Sequence, residues 1–160
     1  MAVVLAITCT LLLLETAYFF LHLSGLRPEP VAWPRVSVVM ARDEARDIAA
    51  AVASRLADDY PDLELILVDD RSADGTGRIA AEAAGGDGRF AAVRVDDLPA
   101  GWLGKVHALH CGARRATGEW LLFSDGDVTV GPGMLRQAIA WCMAEKIDLL
   151  ALVPAFGTAT

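Results

Sequence analysis

The sequence predicts an α/β fold, a doubly wound and mainly parallel sheet behind one N-terminal transmembrane helix. Three observations indicate this: the first 24 residues are almost wholly apolar, short apolar runs then alternate with helical segments, and acidic residues follow successive strands. The 160 residues are 54% hydrophobic, carry a net charge of −7 and include three cysteines. This composition excludes a disordered tail and a disulfide scaffold. It also disfavours a nucleic-acid binder, which needs a basic face.

Residues 1–24 are predicted to be a transmembrane anchor. Glu15 is the only formally charged side chain among them, and a run of about 20 apolar residues spans a bilayer. A cleaved signal peptide is the alternative, but the segment has no basic start and no Ala-x-Ala site. Arginines follow the segment and none precedes it, so we expect a single-pass protein of the cell membrane with its soluble part in the cytoplasm. Residues 25–35 read as a Pro-rich linker.

The first strand is predicted at 36–40, where β-branched residues dominate. A helix follows over 43–56, with Asp43 as its N-cap and with Ile48, Val52 and Leu56 four residues apart on one face. After Tyr60-Pro61, the run 63–68 is nearly all apolar and predicts a strand buried on both faces.

Turn residues separate the later elements of the chain. The predicted helices are 76–84, 105–116 and 134–145, and the predicted strands are 90–95, 120–123 and 147–153. Strands that alternate with helices at this spacing form βαβ units and a parallel sheet. Ligands bind beyond the carboxyl ends of the strands in such a sheet, so the residues that directly follow each strand are the candidates for function.

Acidic residues follow the first four predicted strands. They are Asp43 and Glu44, Asp69 and Asp70, Asp96 and Asp97, and Asp125 and Asp127. Clustered carboxylates repel one another unless they are neutralised, and Mg²⁺ or Mn²⁺ prefers oxygen ligands. Taken singly, Asp69-Asp70 could begin a turn, Asp96-Asp97 could lie in a solvated loop, and an Asp-x-Asp occurs by chance. Their repetition at successive strand ends instead favours a divalent cation that carries a nucleotide diphosphate.

Phosphate-binding loops of the common kinds are absent from the sequence after the first strand. Neither Gly-x-Gly-x-x-Gly nor a Walker motif occurs there, which argues against a dinucleotide dehydrogenase and a P-loop enzyme. Gly101-Trp-Leu-Gly-Lys105 is the candidate phosphate contact, although its spacing alone does not separate this from a surface lysine. His107, His110 and Cys111 lack a fourth zinc ligand, so packing roles are favoured.

Four segments together resemble family-two glycosyltransferases of the GT-A fold: 36–44, Tyr60-Pro61, 67–76 and 118–127. Residues 101–105 and the N-terminal anchor look most like the hopene-associated, membrane-bound branch. The resemblance implies a nucleotide-sugar-binding GT-A domain over 36–160. It also implies inverting transfer of a sugar from a nucleotide diphosphate sugar, with Mg²⁺ or Mn²⁺, to an acceptor for which a lipid is one option.

The resemblance also implies roles for individual residues. Ala41, Arg42 and Glu44 would lie along the nucleotide base and ribose, and Asp70 would accept a hydrogen bond from the base. In the Asp-x-Asp motif, Asp125 would lie toward the ribose and Asp127 on the metal, with Lys105 near the diphosphate.

The general base of the family follows the last predicted strand, so we expect it beyond Thr160, with the domain truncated at its C-terminus. The alternative is a non-catalytic, membrane-tethered module that binds a nucleotide or a partner. A response-regulator-like domain ranks last, because it needs a lysine after the fifth strand, where Pro154-Ala-Phe stands.

Overall fold

The computed structural model describes residues 29–41 and 46–152. Strands and helices alternate through them, as predicted. The order is β1 Val36–Ala41, α1 Ile48–Leu56, β2 Leu63–Asp70, α2 Thr76–Ala84, β3 Phe90–Val95, α3 Gly104–Arg115, β4 Trp120–Ser124 and α4 Met134–Glu145.

The start of α1 differs from the predicted one. The helix begins at Ile48 rather than Asp43, Arg46 and Asp47 form a turn, and residues 42–45 lie outside the described part of the chain. Asp47 occupies the N-cap position and makes no capping hydrogen bond with its side chain. The first helical turn therefore lacks the stabilisation that a polar N-cap normally gives.

The four strands form one sheet in the order β3-β2-β1-β4, and each neighbouring pair is parallel. In the register, Val39 of β1 lies between Ile66 of β2 and Phe123 of β4. This arrangement confirms the predicted mainly parallel α/β sheet. Because all four strands point the same way, their carboxyl ends meet at one edge of the sheet, which we call the carboxyl edge.

Helices cover both faces of the sheet. One face packs Val38, Met40, Leu65 and Leu67 against apolar residues of α1, α2 and α4, namely Ile48, Val52, Ala80, Leu135 and Ile139. The other packs Val39, Ile66 and Val68 against Ala108 of α3. Helices on both faces, with a parallel sheet between them, make the described fold doubly wound.

Helix α3 lies unusually close to the sheet because Gly112 faces it. A Cβ atom at this position would overlap Val39 Cγ1 and would come within 2.9 Å of Val68 Cγ2. Only a glycine allows this approach. The close packing fixes the N-terminal end of α3, with Gly104 and Lys105, relative to the carboxyl edge.

The predicted fifth strand is wrong for the residues that the structure describes. Residues 147–152 form no strand, and Val153 lies outside the described range. Leu149 is 87% exposed, and residues 148–150 and 152 line an apolar groove with β4 and α4. Apolar composition predicted a strand here, but a strand also needs a neighbouring backbone. Among the described residues, no strand pairs with the outer edge of β4.

The predicted anchor, residues 1–24, lies outside the described residues, as do residues 25–28 of the predicted linker. The linker residues 29–35 form neither helix nor strand. Within the described ranges, none of the helices has the length and apolar character that crossing a membrane requires.

Candidate active site

The carboxyl edge brings together residues that are far apart in sequence. Strand β1 ends at Ala41, which is buried, and its neighbours β2 and β4 end at Asp70 and Ser124. Asp70 and Asp125 therefore follow strands on opposite sides of the end of β1. Of the other predicted nucleotide contacts, Arg42 and Glu44 lie outside the described residues.

The two adjacent aspartates at the end of β2 have different surroundings. Asp69 is 7% exposed and holds the turn after the strand, since its Oδ1 accepts a hydrogen bond from the Ser72 amide at 3.1 Å. Its Oδ2 lies 3.4 Å from Arg94 Nη1, and a Cβ at Gly77 would come within 2.7 Å of the same oxygen. The alternative that Asp69-Asp70 begins a turn therefore fits Asp69, whereas Asp70 lies at the carboxyl edge.

Asp70 forms a bidentate ion pair with Arg71. Arg71 Nε donates to Oδ1 at 2.8 Å and Nη2 donates to Oδ2 at 3.1 Å. The hydrogen bond to Asp70 raises the pKa of Arg71. Arg71 also has a φ of 59°, a left-handed conformation that residues other than glycine rarely adopt. Strained backbone of this kind concentrates at functional sites.

The N-terminal end of α3 lies against Asp70 and Asp125. Lys105 Nζ is 2.5 Å from Asp125 Oδ1, and a Cβ at Gly104 would lie 3.1 Å from Asp70 Oδ2. The predicted phosphate loop thus contacts residues from the ends of β2 and β4 together. This geometry places Lys105 at the carboxyl edge of the sheet rather than on an unrelated part of the surface.

Trp102 and the residues suspected of zinc binding pack together on α3. The Trp102 ring centroid lies 5.3 Å from that of His107 and 5.0 Å from that of His110. His107 Nε2 lies 3.6 Å from Cys111 Sγ. These contacts agree with the packing roles that the sequence favoured, and they hold the loop before α3 against the helix.

The Asp-x-Asp motif forms the turn that follows β4. The Asp125 side chain is 41% exposed, the next residue, Gly126, is buried, and Asp127 is exposed. We call residues 125–127 the acidic turn. By contrast, the aspartate after β3, Asp96, pairs with Arg94 Nε at 2.8 Å, and both side chains are more than half exposed, as expected for a solvated loop.

Sequence reasoning missed Arg55, which lies beneath the acidic turn. Its side chain is 1% exposed and donates hydrogen bonds to Ser124 Oγ and to the Val128 carbonyl. The sequence does contain a signal for a special role of this arginine. Residue 55 falls on the same helical face as Ile48, Ala51 and Val52, where an apolar side chain is the usual choice.

The carboxylates of the acidic turn suit a hard divalent cation that brings other ligands with it. Among the described residues, no group of three or more His, Cys, Asp or Glu side chains could hold a metal. A cage made wholly of protein ligands is therefore not formed there. Mg²⁺ commonly binds through one or two carboxylates and completes its shell with waters and substrate phosphates. Asp125 and Asp127 fit that donor set.

Comparison with known proteins gives consistent matches. The family model for Glycosyl transferase family 2 matches residues 37–156. Succinoglycan biosynthesis protein ExoO of Rhizobium meliloti (strain 1021) is 34% identical over 122 residues, which cover 72% of this chain and 33% of that protein. EpsE of Bacillus subtilis (strain 168) is 35% identical over 112 residues, covering 68% and 38% respectively. The chain thus spans about a third of the length of these curated relatives.

A solved structure also matches the fold. It is the mannosyltransferase PcManGT from Pyrobaculum calidifontis in complex with GDP-Man and Mn²⁺. The TM-score is 0.62 at 29% sequence identity, and the match covers 81% of this chain and 39% of that one.

Proposed function

The chain belongs to glycosyltransferase family 2, and from this membership we propose that its carboxyl edge binds a nucleotide diphosphate sugar with Mn²⁺ or Mg²⁺ for inverting transfer of the sugar. One observation carries the proposal. Asp70, the Gly104–Lys105 helix start and Asp125 come from three separate segments and meet at the carboxyl edge, where β2 and β4 flank β1. Ligands bind at this place in doubly wound sheets.

Each donor-side residue has a proposed role. Asp70 accepts a hydrogen bond from the base, and Ala41, Arg42 and Glu44 lie along the base and ribose. Asp125 lies toward the ribose and, with Asp127, holds the cation. When bound, the cation supplies Lewis-acid stabilisation of the departing diphosphate.

Lys105 provides a positive side chain in direct contact with the acidic turn. Its ammonium group pairs with Asp125, and both partners are about half exposed, so the pair contributes little stability. We propose that Lys105 leaves Asp125 for the diphosphate when the donor binds. A charge-assisted hydrogen bond to phosphate is stronger than the exposed ion pair it replaces.

The donor nucleotide is proposed from the matched solved structure, which contains GDP-Man and Mn²⁺. GDP is therefore the first probe and UDP the second. No described residue is assigned as the general base, and membership of the hopene-associated branch stays a prediction. With the predicted anchor at residues 1–24, we propose a single-pass membrane protein with a cytoplasmic catalytic domain and a lipid acceptor.

The two lysines of the chain, Lys105 and Lys146, offer a matched test. We expect Lys105→Ala to weaken Mn²⁺-GDP binding by about tenfold, because a hydrogen bond to a charged group is lost. Lys146 lies at the C-terminal end of α4, so Lys146→Ala should bind as the wild type does. Calorimetry on the full chain in detergent gives both values. Equal binding by all three proteins would contradict the role of Lys105.

Release of GDP from GDP-mannose in the presence of membrane lipids tests transfer itself. Release that depends on both the cation and the lipids would exclude the non-catalytic binding module, because a module that only binds its nucleotide sugar releases no GDP.

A further inference from the structure

Arg55 is a buried charge in the last turn of α1. Its Nη1 donates to the Ala51 carbonyl at 3.0 Å and to the Val128 carbonyl at 2.5 Å, and its Nη2 donates to Ser124 Oγ. Burial lowers the pKa of Arg55 to about 10, so the guanidinium remains charged at neutral pH. The Nε atom is also buried and, within the described ranges, has no hydrogen-bond partner.

The two contacts of Arg55 outside its own helix bracket the acidic turn. Ser124 directly precedes Asp125, and Val128 directly follows Asp127. A third contact comes from the neighbouring residue of α1, because Ser54 Oγ accepts a hydrogen bond from the Val130 amide at 3.2 Å. The C-terminal end of α1 therefore fixes the chain on both sides of the two carboxylates.

Core packing does not explain an arginine at this position. Ile48, Ala51 and Val52 already form the buried face of α1, and an apolar residue at 55 would extend that face without burying a charge. A buried guanidinium with an unsatisfied Nε carries a desolvation cost. What the arginine adds is a set of planar donors that reach two points of the loop at once.

We propose that Arg55 is a positioning residue for donor binding: it holds the acidic turn so that Asp125 and Asp127 face the cation and the diphosphate in a fixed orientation. The inference rests on the proposed function and extends it to a residue beneath the site. A turn that is ordered before the ligand arrives loses less entropy on binding. Removal of Arg55 should therefore weaken binding even though it touches neither metal nor nucleotide.

Two variants of the full chain separate the charge of the Arg55 side chain from its set of hydrogen-bond donors. Arg55→Met keeps an extended side chain without donors, and Arg55→Lys keeps the charge on a single donor group. By analogy with residues that orient metal ligands, Arg55→Met should weaken Mn²⁺-GDP binding by about 10- to 100-fold. Arg55→Lys should recover part of that affinity, because its ammonium can reach only one side of the turn.

A ligand-free measurement tests the same inference independently. Hydrogen exchange at the amides of residues 125–130 should be faster in Arg55→Met than in the wild type, while exchange in β1 and β2 stays unchanged. Ser37→Ala is the control, because Ser37 Oγ accepts from the Gly118 amide at the opposite edge of the sheet. It should lower the melting temperature and leave both binding and exchange at 125–130 unchanged.

The outcomes separate the inference from the function on which it rests. A folded Arg55→Met protein with wild-type affinity, or with unchanged exchange at 125–130, would overturn the role of Arg55. If Arg55→Met does not fold, Arg55→Lys and the milder Ser54→Ala take its place. Wild-type affinity for Mn²⁺-GDP or unchanged exchange at 125–130 in both of these variants would then overturn the role of Arg55. If the wild type binds neither Mn²⁺-GDP nor Mn²⁺-UDP, the proposed function fails, and the exchange rates alone decide whether Arg55 orders the turn.

Discussion

At the scale of single residues, two acids of the carboxyl edge have basic partners before any ligand binds. Asp70 pairs with Arg71 and Asp125 pairs with Lys105. Carboxylates gathered at one edge would otherwise repel each other. Both partners of the Lys105–Asp125 pair are about half exposed, so exchanging this pair for a cation and a diphosphate costs little. This local balance explains how the fold tolerates an acidic rim before any ligand binds.

Glu64 shows a different use of a carboxylate, at the opposite edge of the sheet. Its Oε2 accepts hydrogen bonds from Ser37 Oγ at 2.5 Å and from the Thr117 amide at 2.9 Å. Partial burial raises the pKa of Glu64, but these hydrogen bonds and Arg35 outweigh burial, and the pKa is lowered overall. The charged form of Glu64 therefore stabilises the fold by linking β1, β2 and the segment before β4.

We predict that Glu64→Gln lowers the free energy of unfolding by about 1–2 kcal/mol at pH 7, because hydrogen bonds to a charged acceptor are weakened. The lowered pKa also sets the sign of the pH dependence. The stabilisation is complete above about pH 4.3, the ordinary value for glutamate, and is lost as pH falls through the lower folded value. Urea unfolding at pH 7 and pH 3 measures this. The free energy of unfolding should fall less between the two pH values in Glu64→Gln than in the wild type.

Glu82→Gln is the matched control for that experiment. Glu82 pairs with Arg78 at the exposed surface of α2. The substitution should therefore change the free energy of unfolding by no more than about 0.5 kcal/mol at either pH. Equal effects of the two substitutions would mean that the network around Glu64 adds nothing to stability.

At the scale of whole elements, the packing of α3 determines where Lys105 lies. We predict that Gly112→Ala destabilises the fold by about 1–2 kcal/mol. Overpacking against Val39 and Val68 costs about 2–3 kcal/mol, the upper part of the usual range, because a Cβ would overlap Val39 Cγ1, and the preference of a helix for alanine offsets about 1 kcal/mol of that cost. The helix must shift to make room, so Mn²⁺-GDP binding should also weaken.

Gly131→Ala provides the comparison, since a Cβ there meets no atom within 4 Å. Chemical unfolding and calorimetry on both variants test the prediction. A Gly112→Ala protein as stable as the wild type would show that the close approach of α3 is not required.

The sequence predicted most elements because hydrophobic periodicity and turn residues act locally. The bounds of α2, β3 and α4 agree with the predicted ones. Tertiary context decided the rest. The apolar run at 147–152 has the composition of a strand but no neighbouring strand to pair with among the described residues, and composition alone cannot supply such a neighbour.

At the scale of the whole molecule, the parallel sheet turns residues distant in sequence into one site. Acids after successive strands could be predicted to share an edge. The sequence could not show that Asp69 holds a turn while Asp70 reaches the rim, because adjacent residues differ only in the direction of their side chains. Nor could it show that Arg55 lies under the acidic turn, since Arg55 precedes Ser124 by 69 positions in the sequence.

The predicted anchor also concerns the molecule as a whole. We predict that the full chain stays in the membrane fraction after a carbonate wash, because a run of about 20 apolar residues is stable in a bilayer. A chain lacking residues 1–24 should be released. A tag placed after Thr160 should be protected from protease in intact cells. Release of the full chain by carbonate, or cleavage of the tag, would contradict the proposed topology.

The most direct measurement is calorimetric titration of the full chain with GDP and with UDP, in the presence of Mn²⁺ and again with EDTA. We predict binding that requires the cation and that weakens at least about tenfold, or 1.4 kcal/mol, in Asp127→Ala. The control Asp148→Ala, an exposed site after α4, should bind as the wild type does. Nucleotide binding that persists in EDTA and is unchanged by Asp127→Ala would contradict the assignment of the carboxyl edge as a site for a metal-bound nucleotide diphosphate.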